Sequence, residues 1–290
     1  MMTYMHEHLR LDLSREKGDE DCLLDSFDLI AGELGELSQR GLKRIVDMSC
    51  RGMGRDYNYL DRMERQTGIE LVVSTGFYKE PFLPPEAIEK NVQELSEIFI
   101  RDIEEGAEGS GRRAALIGEI GTSLSLMTPM EEKVFRAAAL AHERTGVPIS
   151  THTTLGTLGV EQARLLTTLG VEPSRIIIGH LDLANNLNAI LRVLDMGVYV
   201  EFDTIGKTKY LPEETRVEFI RACCLRGYEN QLLLSMDITR KSHLRANGGP
   251  GYAYLPDSFL PALKEAGVSQ RAIERMLTGN PAEVLGGRLK

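Results

Sequence analysis

The sequence predicts a (β/α)8 barrel forming a single domain over residues 1–290, and three observations carry that expectation. Eight apolar runs rich in β-branched residues recur along the chain: Thr3–His8, Lys43–Ser49, Glu70–Thr75, Ala114–Gly121, Val147–Thr153, Arg175–Leu181, Gly197–Thr204 and Gln231–Ile238. They are nearly continuous in apolar residues, as strands of a parallel sheet covered on both faces are. Stretches with apolar residues at helical spacing lie between them, which makes eight strand–helix repeats. The third observation weighs against the competing fold. An open doubly wound sheet usually carries a Gly-rich phosphate turn after an early strand, but here Leu9-Arg10-Leu11-Asp12 follows the first run. Barrels of this length are routinely one domain.

The helical patterns cover Leu23–Gln39, Ala87–Glu104, Met130–Glu143, Gly159–Leu169, Asn185–Met196, Glu213–Leu225 and Asp257–Ala266. Arg55–Thr67 carries a weaker pattern. A further helix is expected over Ser269–Thr278, and another after Asn280-Pro281. His142, on the helix before the fifth run, is expected at the surface.

Composition narrows the class. Hydrophobic residues make up 42% and charged residues 27%, enough apolar content for a large core in a soluble protein. No apolar stretch approaches the ~20 residues that cross a bilayer. No basic segment precedes an apolar one at the start, so a signal peptide is not expected. The net charge of -9 disfavours a nucleic-acid surface. Cys22, Cys50, Cys223 and Cys224 show no C-x-x-C spacing and read as reduced thiols of a cytoplasmic protein. Whether the chain forms a homo-oligomer stays open.

The chemistry collects at the ends of the runs, where barrel enzymes place their active sites. Run 1 closes with His6 and His8, whose i, i+2 spacing in a strand puts both imidazoles on one face. Run 4 closes with Glu119, run 5 with His152, run 6 with His180 and run 8 with Asp237. A lone buried histidine is usually a hydrogen-bonded core residue, and a lone acid at a strand end usually a cap. Four imidazoles and two carboxylates at one mouth call for a cation. The ligand types suit zinc, with manganese, cobalt or iron as alternatives. Six ligands exceed one tetrahedral zinc with an open position, so two divalent metal ions ~3.5–4 Å apart fit better. His6, His8 and Asp237 hold one, His152 and His180 the other, and Glu119 bridges. Glu7 points the opposite way and is assigned no metal.

These segments carry a resemblance. Met5-His6-Glu7-His8-Leu9, Gly118-Glu119-Ile120-Gly121, Thr151-His152-Thr153, Gly179-His180 and Ser235-Met236-Asp237-Ile238-Thr239-Arg240 resemble the phosphotriesterase-related branch of the amidohydrolase superfamily, and within it the bacterial phosphotriesterase homology proteins. The resemblance spans nearly the whole chain and implies a binuclear metal centre with the same six ligands. Many relatives bridge their metals with a carbamylated lysine. Glu119 stands there instead and needs no carbon dioxide to be anionic. Relatives also often have a segment before strand 1, which here begins almost at Met1, so a different cover for the barrel bottom is expected.

Two metals supply a hydroxide nucleophile near neutral pH, and Asp237 is the candidate to take its proton and pass it to the leaving group. Asp182 and Asp203 read equally as partners of ligand imidazoles or as helix caps. Cations gather on two neighbouring loops, Gly206-Lys207-Thr208-Lys209-Tyr210 and Thr239-Arg240-Lys241-Ser242-His243-Leu244-Arg245. Barrels often bind phosphate there, although a solvated loop face is the plainer reading. The pattern is similar to relatives that hydrolyse phosphorylated sugar lactones. That implies phosphate contacts from Lys207 and Arg240, with His243 where those relatives have a tyrosine. Gly248-Gly249-Pro250-Gly251-Tyr252 reads as a mobile flap or as a plain turn. The expected activity is cleavage of a lactone or carboxylic ester in a small anionic substrate. Amide hydrolysis, phosphotriester hydrolysis and a non-catalytic metal protein are the alternatives. The chain has no Trp and 8 Phe, which disfavours a large aromatic pocket for neutral organophosphates.

Overall fold

Each of the eight apolar runs overlaps a strand in the computed structural model, which describes residues 1–286. The strands are β1 (Met2–Glu7), β2 (Leu42–Asp47), β3 (Glu70–Thr75), β4 (Leu116–Thr122), β5 (Ile149–Thr153), β6 (Ile176–Gly179), β7 (Tyr199–Phe202) and β8 (Leu232–Leu234). They form one eight-stranded sheet in chain order. Helices separate them: α1 (Phe27–Gln39), α2 (Tyr57–Thr67), α3 (Val92–Arg101), α4 (Pro129–Thr145), α5 (Gly159–Thr168), α6 (Leu187–Leu194) and α7 (Glu213–Cys224). This is a (β/α)8 barrel. No helix among the described residues is long and apolar enough to cross a membrane.

The elements form where local chemistry demands. Ile176, Ile177 and Ile178 of β6 and Leu232, Leu233 and Leu234 of β8 are all fully buried, and burying each such side chain contributes about 1.5–3 kcal/mol. α4 opens on a reciprocal capping box between Thr128 and Glu131, with Pro129 at its first position, and stops at left-handed Gly146. α3 opens on the same device between Asn91 and Glu94.

Four expectations shift. The first helix begins at Phe27 because Leu23-Leu24 pairs antiparallel with Leu11-Asp12. The stretch Ala87–Glu104 holds two helices, Pro85–Glu89 and α3, because the Asn91 cap restarts the chain. The two helices expected near the end are continuous instead: Gln270–Glu274, a π turn at Arg275–Gly279, then Asn280–Leu285. The wider turn accommodates Pro281, which has no N–H to give and whose ring crowds the preceding turn. His142 is buried, and its Nδ1 donates to the Val147 carbonyl at 2.7 Å.

The chain divides into two compact units. One comprises Met1–Ser49, Gly54–Val72 and Phe202–Pro281. In it β1 and β2 pair in parallel, and β8 closes onto β1. The Asp237 N–H donates to the His6 carbonyl at 3.2 Å, and the His6 N–H to Ser235 Oγ at 3.0 Å. The buried Glu7 carboxylate fastens this seam by accepting from Ser235 Oγ, Met236 N and Ile238 N at 2.8, 2.8 and 3.2 Å. Burial pushes its pKa up to about 7.

The other unit comprises Cys50–Met53, Val73–Glu201 and the chain from Ala282. In it β4, β5, β6 and β7 pair in parallel, each with the next. Arg51 forks onto buried Asp102 through Nε and Nη2, both at 2.9 Å, and Thr75 Oγ1 donates to the same carboxylate at 2.6 Å. All four cysteines are free thiols.

Candidate metal centre

In the first unit His6 lies on β1 and His8 one residue past it, both fully buried, with ring centroids 5.6 Å apart. Their Nε2 atoms face one oxygen, Asp237 Oδ1, at 3.7 and 3.3 Å. The other nitrogen of each ring meets the protein. His8 Nδ1 is 2.9 Å from Ser49 Oγ, and His6 Nδ1 is 3.4 Å from Asp203 Oδ2. Ser49 is itself held, since its N–H donates to Asp47 Oδ1 while the Leu9 N–H donates to Asp47 Oδ2, both at 3.0 Å. Partners of this kind fix the tautomer and ring angle of a metal-ligating histidine. Asp237 adopts a left-handed backbone, φ 50, just beyond β8.

The second unit gathers Glu119, His152 and His180, whose ligand atoms all lie within 4.8 Å of one another. Glu119 Oε2 is 3.1 Å from His152 Nδ1 and 3.4 Å from His180 Nε2. Gly118 permits this approach, because a Cβ there would stand 2.4 Å from the Ser150 carbonyl oxygen. His180 stands one residue past β6 with a left-handed backbone, φ 58. Burial, with the charge of neighbouring His180, pushes the His152 imidazole down to about 4. His152 is therefore neutral at pH 7, the form that binds a metal. Gln162 Nε2 donates to the His152 carbonyl at 2.9 Å and to Thr122 Oγ1 at 2.8 Å, steadying the ends of β4 and β5. Tyr78 Oη lies 3.2–3.3 Å from the two His152 ring nitrogens.

Both donor sets fit a divalent cation. Tetrahedral ligands about 2.0–2.1 Å from zinc stand about 3.3 Å from one another. The carboxylate–imidazole separations here, 3.1 to 3.7 Å, bracket that value. Histidine with carboxylate is also the donor chemistry of zinc, manganese, cobalt and iron sites.

The cation-bearing loops lie in the first unit. Lys207 Nζ donates to Asp237 Oδ2, and both side chains are buried. The loop that presents Lys207 is anchored by fully buried Arg216, which donates to the Leu211 carbonyl and to Thr204 Oγ1 and pairs with Glu213. Glu213 in turn accepts from the Gly206 N–H at 3.0 Å. Arg240 pairs with Asp19 at 2.6 Å and Asp21 at 3.5 Å. Burial, with Lys207 close by, pushes His243 down to about 4. Its Nδ1 accepts from the Thr239 N–H at 3.3 Å, which leaves Nε2 carrying the proton.

The glycine-rich segment is a pinned turn. Glu33 accepts from the Arg245 and Tyr252 N–H groups at 2.8 and 2.9 Å. A Cβ on Gly249 would stand 2.3 Å from the His243 backbone. Asp182 is buried in the 3-10 turn Leu181–Ala184. Ser49, Tyr78 and Gln162 escape notice in the sequence. Ser49 had a signal, since it closes the second strand run beside Cys50. Tyr78 and Gln162 lie outside every strand run and reach the site only through the fold.

Comparison with known proteins supplies the family. Residues 1–285 match the Phosphotriesterase family. The phosphotriesterase homology protein of Escherichia coli is 47% identical over 97% of this chain and 96% of its own length. A crystal structure of that protein, complexed with phosphate in its active site, superposes with a TM-score of 0.96 over 98% of both chains. The aryldialkylphosphatase of Saccharolobus solfataricus is 32% identical over 96% of this chain and 93% of its own. A lactonase from Listeria monocytogenes is 29% identical, with a TM-score of 0.93 over 98% of this chain and 94% of that one. The two histidine–carboxylate clusters thus stand at the strand ends of a chain that belongs to the phosphotriesterase family and is a metal-dependent hydrolase.

Proposed function

We propose that the two clusters together form one binuclear centre that opens a lactone or carboxylic ester in a small anionic substrate, and that a phosphorylated sugar lactone is the best candidate. His6, His8 and Asp237 would hold one divalent cation and His152 and His180 the other, with Glu119 available to both. Zinc suits this set, with manganese, cobalt and iron as alternatives. When bound, two such cations make a hydroxide available near neutral pH and polarise the substrate oxygen.

The protein's residues supply the rest. Asp237 turns Oδ1 toward the ligand imidazoles and Oδ2 toward Lys207. Its carboxylate is placed to accept a proton from the attacking water and return it to the leaving oxygen. Lys207 holds that carboxylate in place and supplies one positive charge toward the substrate anion. Arg240 offers a second charge in a planar fork. His243 is neutral and contributes an Nε2–H donor instead of a charge, standing in for a tyrosine hydroxyl.

The observation that carries this reading is the grouping of Lys207, Arg240 and His243 on the two loops that follow β7 and β8, beside Asp237. The phosphate held by the E. coli relative and the lactonase activity named for the Listeria relative support it. The test is turnover by metal-loaded protein across phosphorylated lactones, neutral lactones, N-acyl amides and phosphotriesters. Phosphorylated lactones should give the highest kcat/KM, chelation should abolish turnover, and metal should restore it. A neutral phosphotriester or an N-acyl amide hydrolysed faster would displace this reading.

A further inference from the structure

The guanidinium of Arg240 is held at one end only. Nη1 stands 2.6 Å from Asp19 Oδ2 and 3.5 Å from Asp21 Oδ2. Nε and Nη2 have no hydrogen-bond partner among the described residues. That edge is the two-donor fork that grips a phosphate or carboxylate through paired bonds.

Asp19 and Asp21 sit on a small excursion that follows β1, with Leu11-Asp12 and Leu23-Leu24 paired across its neck. Within it the Asp19 side chain accepts from the Asp21 N–H at 3.1 Å and caps the 3-10 turn Glu20–Cys22. Asp21 also accepts from Ser242 N at 2.7 Å and Ser242 Oγ at 2.6 Å. The excursion therefore grips the β8 loop on both its backbone and its arginine.

We propose that Asp19 and Asp21 are positioning residues that lock the Arg240 guanidinium with its Nε–Nη2 edge presented to the substrate's anionic group. This rests on the reading that the substrate is anionic and meets Arg240. An untethered arginine loses rotamer freedom when it binds, whereas a tethered one has lost it beforehand. The tether consumes only Nη1, so the fork is left for the ligand. The two carboxylates also repel an approaching anion, but the gain from fixed geometry exceeds that repulsion.

The test uses metal-loaded protein and glycerol 3-phosphate as the probe, with binding read by titration calorimetry. The double variant Asp19→Asn/Asp21→Asn should raise Kd roughly tenfold, as expected when a pre-ordered side chain is released. In an Arg240→Met background the same two substitutions should move Kd less than twofold. For the lactone that turns over best, the double variant should raise KM while kcat moves less than twofold. Both aspartates are part-exposed, with side-chain accessibilities of 45% and 31%, and asparagine keeps their size, so the fold is expected to tolerate the change. Tighter or unchanged probe binding by the double variant, with Arg240→Met still weakening it, overturns the positioning role and leaves the anionic-substrate reading standing. An equal loss in the Arg240→Met background also overturns the positioning role. No effect of Arg240→Met itself overturns both.

Discussion

Replacing Glu119 with glutamine tests the metal centre without disturbing its shape. The amide matches the carboxylate in size but removes the anion that stands 3.1 and 3.4 Å from the imidazoles of His152 and His180. With free metal at about 100 times Kd, each occupied site stabilises the folded protein by about 2.7 kcal/mol. In a chain of 290 residues that is a rise in Tm of roughly 4–5 °C per site. If the loss of the anion weakens binding about 100-fold, the same metal concentration stabilises by only about 0.4 kcal/mol, a rise of roughly 1 °C or less. Metal-free Glu119→Gln should melt no lower than metal-free wild type, because Glu119 is only 2% exposed and a buried carboxylate is costly. The assay is scanning calorimetry of both proteins, stripped and supplemented, with metal content measured on the same samples. An undiminished metal-induced rise in Tm, with full metal content, would refute the ligand role.

Three further outcomes are expected. Ser49→Ala removes the partner of His8 Nδ1 and should weaken the tighter or the weaker metal site by about 10–100-fold in a chelator competition; identical affinities at both sites would exclude this. His243 is held near 4 in the fold against about 6.5 in the unfolded chain, so between those values only the unfolded chain takes up the proton. Stability from this source is complete above about pH 6.5 and falls as pH drops toward 4, by at most about 3 kcal/mol, and His243→Gln should flatten that slope in urea titrations. Glu7 shifts the other way, losing stability as pH rises toward about 7, so the readout is the difference between variant and wild type. Arg216→Met leaves Glu213 without the guanidinium that faces it and should cost about 3–5 kcal/mol in denaturant unfolding; a loss below about 1 kcal/mol would sink that account.

The barrel was legible because its strands are buried on both faces and so read as unbroken apolar runs, as Ile176-Ile177-Ile178 shows. The metal-ligand candidates were legible for a related reason. His6 and His8 interrupt an apolar strand where no other purpose calls for imidazoles, and Glu119, His152, His180 and Asp237 repeat that break at other strand ends. The helix joints were less legible, because a π turn carrying Pro281 leaves no mark that separates it from a helix end. Asp19 and Asp21 were invisible for a different reason. They are more than two hundred residues from Arg240 in sequence, and only the folded loops bring them together. His243 was legible as a position but not as a charge state, since its proton affinity depends on burial and on Lys207.

The seam between β1 and β8 has a bearing on engineering. Three consecutive residues alternate between inward imidazoles at His6 and His8 and an outward clasp at Glu7. A slip of one position would swing the clasp into the mouth and both imidazoles out of it. Pairing error and loss of the proposed metal ligands are thus a single event here, and libraries that diversify the entrance should leave this tripeptide untouched.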